Sequence, residues 1–252
     1  MYFRNKRLDE ALAFVRESGA DIFCLQEVPE HSLEAFTALY PYHTEVVEME
    51  RLFPERPLAT YSVVLSRYPI RQSATIPLDD FQNRLPFRTH FFIRAMMLFG
   101  WSRIRNRNAL SADIKTPSGL LRVLTVHLTL SNPTWRLEEF EMAMLCRDPA
   151  LPTIVCGDFN ILERPHITLI NWLAGGRVSD VLRYTRERTV IEKRFVEHKL
   201  TNALAGSSTH PISRSQLDHI LVSEHFATQD ARVLSERYGS DHHPIRVDLI
   251  SS

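Results

Sequence analysis

Five largely apolar runs in this chain end or begin beside residues that can bind a cation or move a proton. Glu27 follows Ile22-Phe23-Cys24-Leu25, and His127 closes Leu121-Arg122-Val123-Leu124-Thr125-Val126. Asp158 and Asn160 follow Ile154-Val155-Cys156, Asp218 precedes Ile220-Leu221-Val222, and Asp241-His242-His243-Pro244 precedes Ile245. Carboxylates supply the hard oxygen ligands that magnesium prefers, imidazoles titrate near neutrality, and an amide donates hydrogen bonds to anionic oxygens. Such a set suits metal and phosphate chemistry. Taken singly, each residue has an ordinary explanation. A glutamate after a strand is usually solvated, and a lone histidine is more often hydrogen-bonded than catalytic. Gly157-Asp158-Phe159-Asn160 makes an acceptable turn, with Asp and Asn bonding their own backbone. The joint occurrence of these residues at strand ends is the argument for a site.

The elements that must position them are legible in outline. Leu8, Ala11, Leu12 and Val15 recur at helical spacing over residues 6–18, with Gly19 where a helix stops. Helices are also predicted over Ser32–Leu39, over Thr134–Leu145 with Thr134 as cap, and over Pro165–Leu173. Strands are predicted at 22–25, 61–65, 108–115, 120–128, 153–156, 217–222, 231–234 and 245–250. Many strands that need apolar cover on both faces imply two packed sheets with helices outside.

Composition sets outer bounds. The chain has 252 residues, 44% hydrophobic and 24% charged with zero formal net charge, which suits one large α/β domain. Balanced charge points to no particular partner. There is no apolar run long enough for a membrane helix and no signal-peptide pattern at the start. Three cysteines cannot all pair; Cys24 and Cys156 lie in apolar runs and read as reduced core thiols of a cytoplasmic protein.

In order along the chain stand Leu25-Gln26-Glu27-Val28, Val64-Leu65-Ser66-Arg67-Tyr68-Pro69-Ile70, Thr125-Val126-His127-Leu128 and Gly157-Asp158-Phe159-Asn160. Leu217-Asp218-His219-Ile220 and Ser240-Asp241-His242-His243-Pro244 complete the series. The sequence resembles the endonuclease/exonuclease/phosphatase superfamily across nearly its whole length. The resemblance implies a four-layer α/β/β/α sandwich of two packed mixed sheets. It implies a magnesium-dependent phosphoester hydrolase, with manganese as a substitute, that cleaves phosphodiesters by attack of water. Glu27 and Asp241 would then be metal-side carboxylates. Asp158 would orient or deprotonate the water, and Asn160 would donate to the phosphate. His242 would pair with Asp218, and His127 would complete the catalytic set. Arg107 resembles a phosphate-contacting arginine. His219 is expected to be structural, and His243 is left outside the site.

Two departures stand out. The family opens with a strand ending in Asn; here the first helix begins almost at once, so residues 1–252 read as a single domain lacking its first strand. The stretch from Asp80 to Asn108 carries Arg84, Arg88, Arg94, Arg103, Arg105 and Arg107 among Phe87, Phe91, Phe92, Met96 and other large apolar residues. It reads either as an extra amphipathic helix or as an element contacting nucleic acid or a lipid surface. A phosphomonoesterase, a lipid-headgroup hydrolase of sphingomyelinase type, or a binding module without catalysis are the competing functions. The DHH-type reading of Asp241-His242-His243 fails for want of further aspartate motifs upstream. Oligomeric state is open.

Overall fold

The computed structural model describes residues 4–53, 57–78, 84–98, 103–130, 132–183 and 186–251. Its apolar runs form strands that assort into two large sheets. β1 (Ile22–Pro29), β2 (Tyr42–Leu52), β3 (Pro57–Ser66) and β5 (Arg103–Arg105) make one sheet in the order β1-β3-β2-β5. β4 (Ile70–Pro77), β6 (Asn108–Thr116), β7 (Gly119–His127), β8 (Thr153–Asp158), β9 (Leu200–Asn202) and β10 (Asp218–Ser223) make the other, ordered β4-β6-β7-β8-β10-β9. The first sheet is antiparallel throughout; the second is mixed, because β7 and β8 run parallel. β11 (Phe226–Val233) and β12 (Ile245–Ser251) pair as a separate ribbon.

Alternation along the strands sorts their side chains into three apolar layers. On β3, Val63 and Leu65 face one way, toward Ala11 and Val15 of α1 (Leu8–Glu17) and Phe36 of α2 (Leu33–Thr37). Val64 faces the other sheet, meeting Ala112, Ile114, Val123 and Cys156, with Cys24 packed alongside. On the far side, Leu124, Val126 and Val155 pack on Phe140 and Ala143 of α4 (Pro133–Met144) and on Ile191 and Phe195 of α7 (Arg186–Glu197). Helix, sheet, sheet, helix is thus the order of layers. Among the described residues, no helix is long and apolar enough to cross a membrane.

Several elements differ from expectation. The cap of α4 is Asn132, whose side chain accepts from Trp135 N at 3.1 Å while Pro133 takes the first helical position. Only Leu169–Leu173 (α5) of the Pro165–Leu173 segment is α-helical. The arginine and aromatic stretch contains α3 (Phe87–Leu98); Asp80, Phe81, Phe99 and Trp101 lie outside the described residues.

Candidate active site

Strand register builds half of the site. His127 is level with Asp158 across the parallel pair β7 and β8, and Asp218 is level with Asp158 across β8 and β10. Three neighbouring strands therefore set His127, Asp158 and Asp218 in a row at inter-strand spacing, about 4.8 Å per step. Gly157 permits the close approach: its φ is 132°, and a Cβ there would lie 1.9 Å from the Val126 carbonyl oxygen. The other sheet contributes through bulges. Register slips between Leu25 and Val28 of β1, beside Ser62 of β3, and between Val47 and Met49 of β2, where β3 passes from Tyr61 to Thr60, so the two irregularities flank Tyr61. Bulges re-aim side chains, and here the residues involved include Glu27 and Glu48. Glu27 sits at φ 56°, a left-handed conformation that costs a non-glycine residue about 1 kcal/mol or more.

Two imidazole–carboxylate pairs face Asp158. His127 Nδ1 is 2.6 Å from Glu48 Oε1, and its Nε2 is 3.6 Å from Asp158 Oδ2. Glu48 is 1% exposed, and its other oxygen accepts the Glu27 N–H at 2.7 Å and the Ser62 hydroxyl at 3.0 Å. Burial pushes the Glu48 carboxyl up, but the His127 charge and these hydrogen bonds outweigh it and bring the pKa to about 2. Burial likewise pulls His127 down, and Glu48 with Asp158 overrides it, so the imidazole titrates above its usual range. His242 Nδ1 is 2.8 Å from Asp218 Oδ2. Against burial, Asp218 and then Asp158 lift His242 to about 10. Burial raises Asp218, but the His242 charge and hydrogen bond, with the Thr209 hydroxyl, hold it below the usual range. Asp158 remains raised by burial, although both imidazoles pull it back.

A further group joins this row. A ring nitrogen of His210, a carboxylate oxygen of Asp241 and a ring nitrogen of His242 lie within 4.8 Å of one another, as do ligand atoms of Asp158, Asp218 and His242. His210 Nδ1 accepts the Ser213 N–H at 3.1 Å, which leaves the ring proton of the neutral imidazole on Nε2. Burial, helped by the His242 charge, keeps His210 neutral by lowering its pKa.

The model of the Endonuclease/Exonuclease/phosphatase family matches residues 2–242. The chain belongs to that family. Solved structures agree on the fold. An endonuclease/exonuclease/phosphatase from Beutenbergia cavernae is 18% identical with a TM-score of 0.67, over 97% of this chain and 66% of that one. The chain thus spans just under two thirds of the Beutenbergia protein. The human Nocturnin catalytic domain, solved with a bound sulfate, is 17% identical with a TM-score of 0.60, over 98% and 86%. A mannosyl-6-phosphatase from Bacteroides thetaiotaomicron is 18% identical with a TM-score of 0.59, over 97% and 91%. No curated protein sequence matches the chain.

Endonuclease/exonuclease/phosphatase enzymes are phosphoesterases that typically need a divalent cation, and the donor set here fits one. Asp158 and Asp218 are carboxylates with oxygens within 4.8 Å of each other, a repulsion that a cation relieves. Glu27 is placed differently. The Arg51 guanidinium donates to its carboxylate, and neither cation-sized group among the described residues includes it.

Two expected substrate contacts, Arg107 and Asn160, make hydrogen bonds within the fold. The Arg107 guanidinium is buried against Glu139 and donates to the His127 carbonyl oxygen, so it braces the main chain at His127. Asn160, at φ 52°, gives its main-chain N–H to Asp158 Oδ1 and one amide proton to the Leu128 carbonyl, each at 2.8 Å. His219 is wholly buried, with Nδ1 on the Leu217 carbonyl and Nε2 2.7 Å from Arg188; burial and the arginine charge lower its pKa to about 3. His243 Nδ1 bonds the Leu234 carbonyl at 2.9 Å, anchoring the loop that presents Asp241 and His242.

Glu48, Arg51 and His210 were not singled out in the sequence. β2 mixes charged and apolar residues without clean alternation, and its bulge at Glu48 breaks the period-two signal. The one cue to His210 is its place nine residues after Thr201 and eight before Asp218, in a polar loop that carries no periodicity.

Proposed function

We propose that the chain is a divalent-cation-dependent phosphodiesterase, with magnesium as its cation and manganese as a substitute. The observation that carries this reading is Asp158 flanked by two imidazole–carboxylate pairs, His127–Glu48 and His242–Asp218. Hydrolysis of a phosphodiester needs a proton removed from water and another delivered to the leaving alkoxide, so paired acid and base groups suit it. Asp158, with its raised pKa, is a stronger base than a solvated aspartate and orients or deprotonates the water. The His242 imidazolium protonates the leaving oxygen, and His127 donates to charge on the equatorial oxygens. Glu48 and Asp218 fix the imidazole tautomers through Nδ1, leaving each Nε2 for the reaction. The remaining Asn160 amide proton donates to the phosphate. Asp158 and Asp218, whose carboxylate oxygens lie within 4.8 Å of each other, would hold the cation, which would supply charge neutralisation at the phosphate when bound. Three free cysteines suit a reducing compartment, and we place the protein in the cytoplasm on that ground.

The competing reading, a phosphomonoesterase, draws on the mannosyl-6-phosphatase that shares this fold. Purified protein is assayed with bis(p-nitrophenyl) phosphate and p-nitrophenyl phosphate, with magnesium, with manganese and with EDTA. Faster turnover of the diester, abolished by EDTA and restored by magnesium, is expected. Preference for the monoester would favour the second reading, and no turnover of either would favour a binding module.

A further inference from the structure

The inner side of α3 is pinned to the fold. Thr89 is buried, and the Arg88 guanidinium donates to the Trp172 and Gly176 carbonyls and lies 5.2 Å from the Trp172 ring centroid. The outer side carries Phe87, His90, Phe91 and Arg94, spaced i, i+3, i+4 and i+7, so that they form one stripe. All four are exposed, Phe87 to 87% and Phe91 to 68%. An outward helical face normally carries polar residues, and two phenylalanines left in water at adjacent turns call for a partner.

The neighbourhood extends the patch. α3 packs on α5, and α5 packs on α6 (Val178–Leu182); these short helices expose Leu169, Val178 and Leu182. The charges around it are basic. No acidic residue occurs from 81 to 112, and Arg94 and Arg177 are exposed. The nearby acids are engaged: Glu138 meets Arg84, and Asp180 accepts the Arg177 N–H. Aromatic and aliphatic side chains within a cationic surround match the interface of an anionic bilayer, where apolar groups enter the acyl boundary and arginines meet the headgroups. Nucleic acid would use the phenylalanines by stacking but offers nothing to Leu169, Val178 and Leu182.

We propose that this face, centred on Phe87 and Phe91, docks the protein on anionic membrane surfaces. The full chain is sedimented with vesicles of phosphatidylcholine alone and of equal parts phosphatidylcholine and phosphatidylserine, at low and high salt. Co-sedimentation with the anionic vesicles, at least about tenfold tighter than with the neutral ones and weakened by salt, is expected. F87S/F91S should abolish it, and R94E should weaken it and flatten its salt dependence. Both changes lie on an exposed face, so circular dichroism and melting temperature should stay as in the wild type. Absence of binding at low salt, or binding unchanged in F87S/F91S, overturns the proposal. So does a face that holds a single-stranded oligonucleotide through the same phenylalanines but no vesicle. The readout is binding, so it stands or falls separately from turnover.

Discussion

Glu48 uses both carboxylate oxygens, one on His127 and the other on the Glu27 N–H and the Ser62 hydroxyl, and thereby joins an acid–base group to the strained end of β1. Glu48→Gln keeps the volume but removes the charge that raises His127. Turnover should fall by about ten- to a hundredfold, and the limb of the pH–rate profile that reports His127 should move to lower pH. The change also alters acid stability with a definite sign. Glu48 drops from the usual 4.5 to about 2 on folding, so its contribution is present above pH 4.5 and lost as pH falls through 2. The melting-temperature gap between wild type and Glu48→Gln should therefore shrink below pH 4.5; a gap constant to pH 2 would refute the assignment. The His242 pair has the opposite sign. Its imidazole rises from 6.5 to about 10, so the pair stabilises the fold below pH 6.5 and loses that contribution as pH rises through 10. Asp218→Asn should flatten the alkaline decline of the melting temperature between those values.

At the scale of elements, the site depends on strand ends meeting in register, and Gly157 is where the approach is closest. Gly157→Ala would drive a Cβ into the Val126 carbonyl and separate β8 from β7. It should lower the melting temperature and reduce activity together, because the same strands carry Asp158 and His127; a variant with native stability and turnover would contradict this. The helices and strands that periodic sequence patterns announce are the ones that bury one face: α1, β3, β7 and β8 have such patterns. The four-layer sandwich was legible from those strands and from the motifs at their ends. β2 was not, because it buries the charged side chains of Glu48 and Arg51, which hides it among solvated-looking segments. α6 and α7 were missed in a polar stretch; α7 is held by Ile191 and Phe195 in the core and by the Glu187 pair with Arg136. The inward turn of Arg107 is a tertiary fact, set by Glu139 on α4, that local sequence does not carry.

Over the whole molecule, the candidate site is shared by two sheets and a C-terminal loop, and buried ions hold these parts together. Arg136, wholly buried, bridges Glu187 of α7 and Asn171 of α5, so it fastens three helices at once. Arg136→Met leaves Glu187 without that cation and should destabilise the fold by about 3–5 kcal/mol, read as a lower urea midpoint with an unchanged slope. Magnesium-activated hydrolysis of bis(p-nitrophenyl) phosphate is measured for wild type, Asp158→Ala and His242→Ala, each checked for native folding. The expectation is a loss of at least about a hundredfold for either substitution, the usual scale for removing a general acid or base. Folded variants that both hydrolyse the diester at the wild-type rate would contradict it.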